Sequence, residues 1–251
     1  VAFLCGIKTT IYYQHFPIFW EAFFYTLNYS IGFIIIHLLQ FTLATKQPAM
    51  TASTIAASLS NGGKNPRWLA NSTRLLTNLT RSQFISLLGN ALIAFPIAYG
   101  LSWINFWITG YHLASSQKAY KMIQELHLLD SLAIFHAGIA GIYLMISGLI
   151  SGYYENKWIY SSMQERVSQN IYLKAIFKPE TLTRYAHFLT KNIGSLTGNF
   201  FLGVFLGITA AAGFMLGLPL DIRHITFSSG NFGLAVAKLG TNLPLSVIIH
   251  S

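Results

Sequence analysis

Lys238 has the strongest claim to chemistry in this chain. It stands inside an apolar stretch, about 227–250, where an ammonium costs on the order of 3 kcal/mol in hydrocarbon and must find water or a partner. A gate or an ion-coupling site would use such a charge. The plainer reading is a shifted or re-entrant segment that lets Lys238 reach the surface. Gly230, Gly233, Gly240 and Pro244 weaken the helix and favour it. Every Asp and Glu lies in a loop or at a span end, so no intramembrane carboxylate offers itself as partner. Asn90 and Asn199 each follow a glycine. They suit hydrogen bonds between helix ends, or, less simply, a paired polar constriction. His37 and His136 invite a haem or metal reading. Their expected depths differ, which favours satisfied core histidines. Cys5 is the sole cysteine, so neither an internal disulfide nor a cysteine metal cluster can form. Hydrolase and nucleotide-loop motifs are missing from the sequence. No catalytic set, metal or cofactor is expected.

The elements that must carry these residues are apolar. The chain is 53% hydrophobic and 9% charged over 251 residues, with mean hydropathy +0.49. Soluble domains carry about 25% charged residues, so lipid is the expected solvent and a soluble helical protein is disfavoured. The expected fold is all-α, a polytopic membrane bundle of about five spans: 22–45, 84–110, 131–154, 196–218 and 227–250. It would form a single transmembrane domain over 1–251. Val1–Gly6 reads as the tail of an apolar segment, so the chain is expected to start inside a longer protein. Trp103, Trp107, Tyr153, Tyr154 and Trp158 fall at span ends, as interface residues do. Pro96 is expected to kink its helix.

The net charge of +9 sits mostly in two loops. Residues 46–86 carry Lys46, Lys64, Arg67, Arg74 and Arg81 and no acid; residues 155–195 carry six cations, Arg184 and Lys191 among them, against three acids. The positive-inside rule puts both loops in the cytoplasm. Arg67, Arg74 and Arg81 recur every seventh residue, which predicts an amphipathic helix lying on anionic headgroups. A nucleic-acid contact is the disfavoured alternative.

Glycines predict the packing. Phe135, Gly138, Gly141 and Gly148 match Phe227, Gly230, Gly233 and Gly240 in spacing, and such a glycine face lets another backbone approach. Gly203 and Gly207, followed by Gly213 and Gly217, form two further small-residue pairs. Arg74–Arg81 aligns with Arg184–Lys191, and Gly89-Asn90 with Gly198-Asn199. The expected internal repeat therefore covers about 74–154 and 184–250. Its copies would share one orientation, as a parallel duplication.

Thr45-Lys-Gln-Pro-Ala-Met-Thr-Ala52, Gly89-Asn90 with Ala94-Phe95-Pro96, Gly198-Asn199, and Leu218-Pro-Leu-Asp-Ile-Arg-His-Ile-Thr-Phe-Ser-Ser229 resemble the bacterial site-specific recombinase family of Gcr type. The resemblance covers most of the chain, as the membrane-embedded C-terminal half of a longer member. It implies an inner-membrane protein of a Gram-negative bacterium, with DNA recombination as its label. Arg166, Tyr172, Arg184 and His187 offer the residue types of a tyrosine recombinase. One loop, however, supplies no scaffold to clamp a duplex.

The function expected first is a transport or channel-like membrane core. A scaffold or subunit of an envelope complex is the alternative, and DNA recombination a further one. The expected partners are the bilayer and its anionic phospholipids, with other membrane subunits or further copies of the chain behind them.

Overall fold

A computed structural model describes residues 1–41, 68–127 and 130–240. Lys46, Lys64, Arg67 and the stretch 241–250 with Pro244 lie outside the described residues. Within them the chain is helical: α1 (Ala2–Tyr13), α2 (Ile18–Leu38), α3 (Trp68–Thr109), α4 (Ser116–Gln124), α5 (Ala133–Tyr160), α6 (Met163–Gln169), α7 (Ile171–Ile176), α8 (Pro179–Leu216) and α9 (Ile225–Leu239). Four of these, α2, α3, α5 and α8, are long and apolar enough to cross a membrane. The fifth expected span appears, in its described part, as the 15-residue α9, about 22 Å long against a hydrocarbon core of roughly 30 Å.

Local chemistry accounts for the ends. Pro179 opens α8 with Glu180 in its first turn, where a missing N–H and a negative charge both suit a helix start. Gly217 closes the same helix at φ 64°, a left-handed cap that glycine adopts without strain. Ser115 caps α4 by accepting from the Lys118 N–H.

The two basic segments are helical in their described parts. Arg74 and Arg81 lie within α3, and Arg184 and Lys191 within α8. Both basic runs continue into their spans without a break, while residues 155–195 also carry the two short separate helices α6 and α7. At 42 residues α3 is about 63 Å long, so its basic end stands well beyond the hydrocarbon. Pro96 sits inside α3 without ending it.

α8 is the central helix. On one face Gly203 and Gly207 meet α2. A Cβ at Gly203 would collide with the Ser30 backbone N, and the Ser30 hydroxyl donates to the Phe200 carbonyl at 3.0 Å. On another face Gly194 and Gly198 meet the Ser151 and Ser147 carbonyls of α5. The pairings 26 with 207 and 30 with 203 make α2 antiparallel to α8, as 143 with 209 and 151 with 198 do for α5. Gly213 and Gly217 serve the chain turn after α8 instead: Gly213 meets Leu218 and Leu220.

α3 and α9 form a second group, bridged to the first by α1. Leu4 of α1 packs on Gly32 of α2, while Cys5 meets Gly230 of α9. The register of α9 on α3 is parallel. The Ser229 hydroxyl donates to the Ala91 carbonyl, Phe232 meets Phe95, and Gly233 meets the Phe95 carbonyl and Ala98. A return crossing would have run antiparallel. Residues 217–224 instead fold back into the bundle, and α9 then runs in the direction of α3. Gly230 and Gly233 let α9 approach Cys5 and the α3 backbone this closely.

Candidate functional site

α9 starts between the two helix groups. Phe227, in its first turn, is boxed edge-on by Tyr29 and Phe33 of α2, at 5.1 and 6.0 Å between ring centroids. Beside it opens a cleft of about 490 Å³, within the size range of small-molecule sites. Phe33 and Ile36 of α2, Leu144 of α5 and Leu202 of α8 form one wall; Gln83, Ser86, Asn90 and Ala94 of α3 form the other. Its lining holds no Asp, Glu, Lys or Arg among the described residues. Leu87, Ile93 and Ile97 at its rim are exposed.

On the other side of Phe227 sits an ion cluster. Arg223 bonds Glu125, beyond the end of α4, at 3.0 Å, and also the Asp221 carboxylate. Its Nε donates to the Glu125 carbonyl. Lys8 of α1 lies 5.4 and 5.9 Å from the ring centroids of Tyr25 and Tyr29, within cation–π range. Burial alone would raise the Asp221 carboxyl, but the Lys8 ammonium and the Arg223 guanidinium outweigh it and hold it below its ordinary 3.8. A chamber of about 30 Å³ lies among Lys8, Tyr29, Asp221, Arg223, Ser228 and Asn231, room for one water with several polar partners. The cluster pins the fold-back segment where it enters the bundle. The sequence analysis gave Lys8 no role. The available signal was that Lys8 is the only Lys or Arg among residues 1–45.

The intramembrane candidates separate. Lys238 lies in the last turn of α9, where a cation suits the helix dipole. It is near the turn after α3: burial, and then the Lys238 ammonium, hold the His112 imidazole below its ordinary 6.5. His112 itself bonds Ser102 at 3.2 Å. Asn90 lines the cleft, whereas Asn199 is buried within α8, so the matched asparagines stand in different surroundings. His37 bonds Asn192 of α8 at 3.0 Å, and His136 bonds the Pro219 carbonyl at 2.8 Å. Asn192 lies in the first half of α8 and Pro219 beyond its C-terminal cap, and the two histidines do not converge. Among the described residues, no group of His, Cys, Asp and Glu could hold a metal.

The glycine candidates separate too. Gly203, Gly207, Gly230 and Gly233 are in close contact and Gly148 is buried. A Cβ at Gly138 or Gly141 would meet nothing within 4 Å, and Gly240 caps α9 at φ 52°. Arg166, Tyr172, Arg184 and His187 are exposed and spread over α6, α7 and α8.

No curated protein and no solved structure matches the chain. The family model for site-specific recombinases matches residues 1–251. A membrane-type helical chain matched along its whole length by that model belongs to the site-specific recombinase family.

Proposed function

We propose that this chain is a transport- or channel-like core of the bacterial inner membrane, with the cleft between its two helix groups as the path or seat of a solute. The observation that supports this most is α9. It begins part-way through the bundle, beside a cleft of about 490 Å³, after a segment that folds back in. Broken or re-entrant helices beside a cavity are how membrane proteins place irregular backbone at depth. The sequence units 74–154 and 184–250 are intermixed in the packing, α3 on α9 and α5 on α8. The positive-inside rule places the basic ends of α3 and α8 in the cytoplasm on this reading, among anionic headgroups. DNA recombination carries the family's label. The exposed, scattered Arg166, Tyr172, Arg184 and His187 give it no assembled site.

Reconstitution tests the reading. Transbilayer movement of entrapped small solutes and of dye-labelled lipid is compared between proteoliposomes and protein-free vesicles. Acceleration that Asn90→Trp abolishes by filling the cleft supports the proposal; no acceleration for any probe removes it. A scaffold role is favoured by one observation, the bare Gly138/Gly141 face of α5 flanked by exposed Ile134, Ile142 and Met145. Mass measurement after gentle detergent extraction tests that role, and a monomer argues against it.

A further inference from the structure

We infer that the cleft holds one hydrocarbon chain of a membrane glycerolipid, entered sideways from the bilayer, with the ester and headgroup region at Gln83, Ser86 and Asn90. The inference rests on the transport-like reading only in naming the substrate class of the same cleft.

Polarity along α3 is the first ground. Gln83, Ser86 and Asn90 are spaced by three and four residues, so they share one helix face. Ala94 and Ile97 continue that face toward the bundle. The wall is thus polar at one end and apolar for the rest, the pattern of an amphiphile. No Asp, Glu, Lys or Arg side chain lines it among the described residues, so an ion or a charged solute would find no side-chain counter-charge there. Water is a poor occupant of the apolar part, since a buried water needs two to four polar partners. Level with the polar end, by the register of Ser229 on Ala91, the His224 Nδ1 is already taken by the Thr226 N–H that it caps.

Access and size are the second ground. Leu87, Ile93 and Ile97 are 39%, 59% and 43% exposed. The cleft therefore opens sideways, between helices, onto the hydrocarbon that surrounds the spans. From residue 83 to residue 97 the wall is about 21 Å long, of which the apolar part beyond Asn90 is about 10 Å, so it holds part of a chain that spans the roughly 15 Å of one leaflet's hydrocarbon. Its volume of about 490 Å³ admits about sixteen groups the size of a water molecule, comparable to an ordinary fatty acyl chain. An acyl chain already in the bilayer can fill such a space without crossing water.

The test reconstitutes the full chain in phosphatidylcholine vesicles that contain a phosphatidylcholine with a diazirine on its acyl chain. After irradiation, lipid adducts are mapped by peptide mass spectrometry. Adducts on residues 83–97 should exceed those on the exposed Ile134, Ile142, Met145 and Leu149 of α5 by about ten-fold, the yield expected of a held chain rather than a passing one. Ser86→Trp and Asn90→Trp should each remove that excess and leave the α5 adducts unchanged, with helicity and monodispersity as checks on folding. Equal labelling of both stretches overturns the inference, as does an excess that survives in both folded variants. An adduct excess without solute or lipid movement leaves the inference standing and sinks the transport reading. Movement blocked by Asn90→Trp without any excess does the reverse.

Discussion

The Ser229 hydroxyl donates to the Ala91 carbonyl across 138 residues of sequence, and this contact aligns α9 with α3 rather than against it. A helix entering from the end of α8 would ordinarily cross back. The bond, with Gly233 pressed on the Phe95 carbonyl, holds α9 in the opposite direction.

That direction predicts a labelling pattern. In a Cys5→Ser background, Lys238→Cys and Ser116→Cys should react with a small impermeant thiol reagent from the same side of the membrane, and Lys178→Cys from the other. Reaction of Lys238→Cys from the Lys178 side would mean that α9 crosses.

Glycine substitutions should divide sharply. At Gly203, Gly207 and Gly233 a Cβ would fall within 2.5 Å of Ser30, Thr26 and Phe95 atoms, backbone among them. Alanine there should destabilise by about 1–3 kcal/mol through overpacking. Alanine at Gly138 and Gly141 meets open space and should be neutral, or stabilising by up to about 1 kcal/mol from helix propensity. Thermal unfolding in detergent reads both sets.

The ion cluster predicts an acid limb. The Asp221 carboxyl is held below its ordinary 3.8. It therefore contributes stability at pH values above 3.8, lost as pH falls through its lower folded value. Arg223→Ala should flatten this limb. It should also cost about 1–3 kcal/mol near neutral pH, less than a fully buried pair, because Glu125 and Asp221 remain 36% and 32% exposed. Unfolding midpoints between pH 3 and pH 7 check both statements.

His136 tethers the fold-back segment through the Pro219 carbonyl. His136→Ala should lose about 0.5–1.5 kcal/mol, the net contribution of one hydrogen bond, since Pro219 is exposed and water can replace the imidazole. It should also increase protease cleavage within 217–224, while His37→Ala, which acts through Asn192 of α8, should leave that segment protected. Limited proteolysis with mass mapping distinguishes the two.

Sequence alone determined the solvent, the helical class, four of the spans and the family, because each is written in composition and local pattern. Apolar runs longer than a bilayer need no partner to be recognised. The packing role of Gly203 and Gly207 was legible for the same reason, as a local spacing. The direction of α9 was not, and neither was the unlike use of matched glycines: Gly230 and Gly233 are filled by Cys5 and α3, while Gly138 and Gly141 face open space. A repeat in sequence fixes which residues lie on a face, not what lies opposite it. Lys8, Glu125, Asp221 and Arg223 come from three separate stretches of chain, and their charges meet only because α1 and the fold-back segment pack together. The cleft, too, is a space between helices rather than a property of any one of them. Such relationships depend on contacts distant in sequence, and only the tertiary structure decides those.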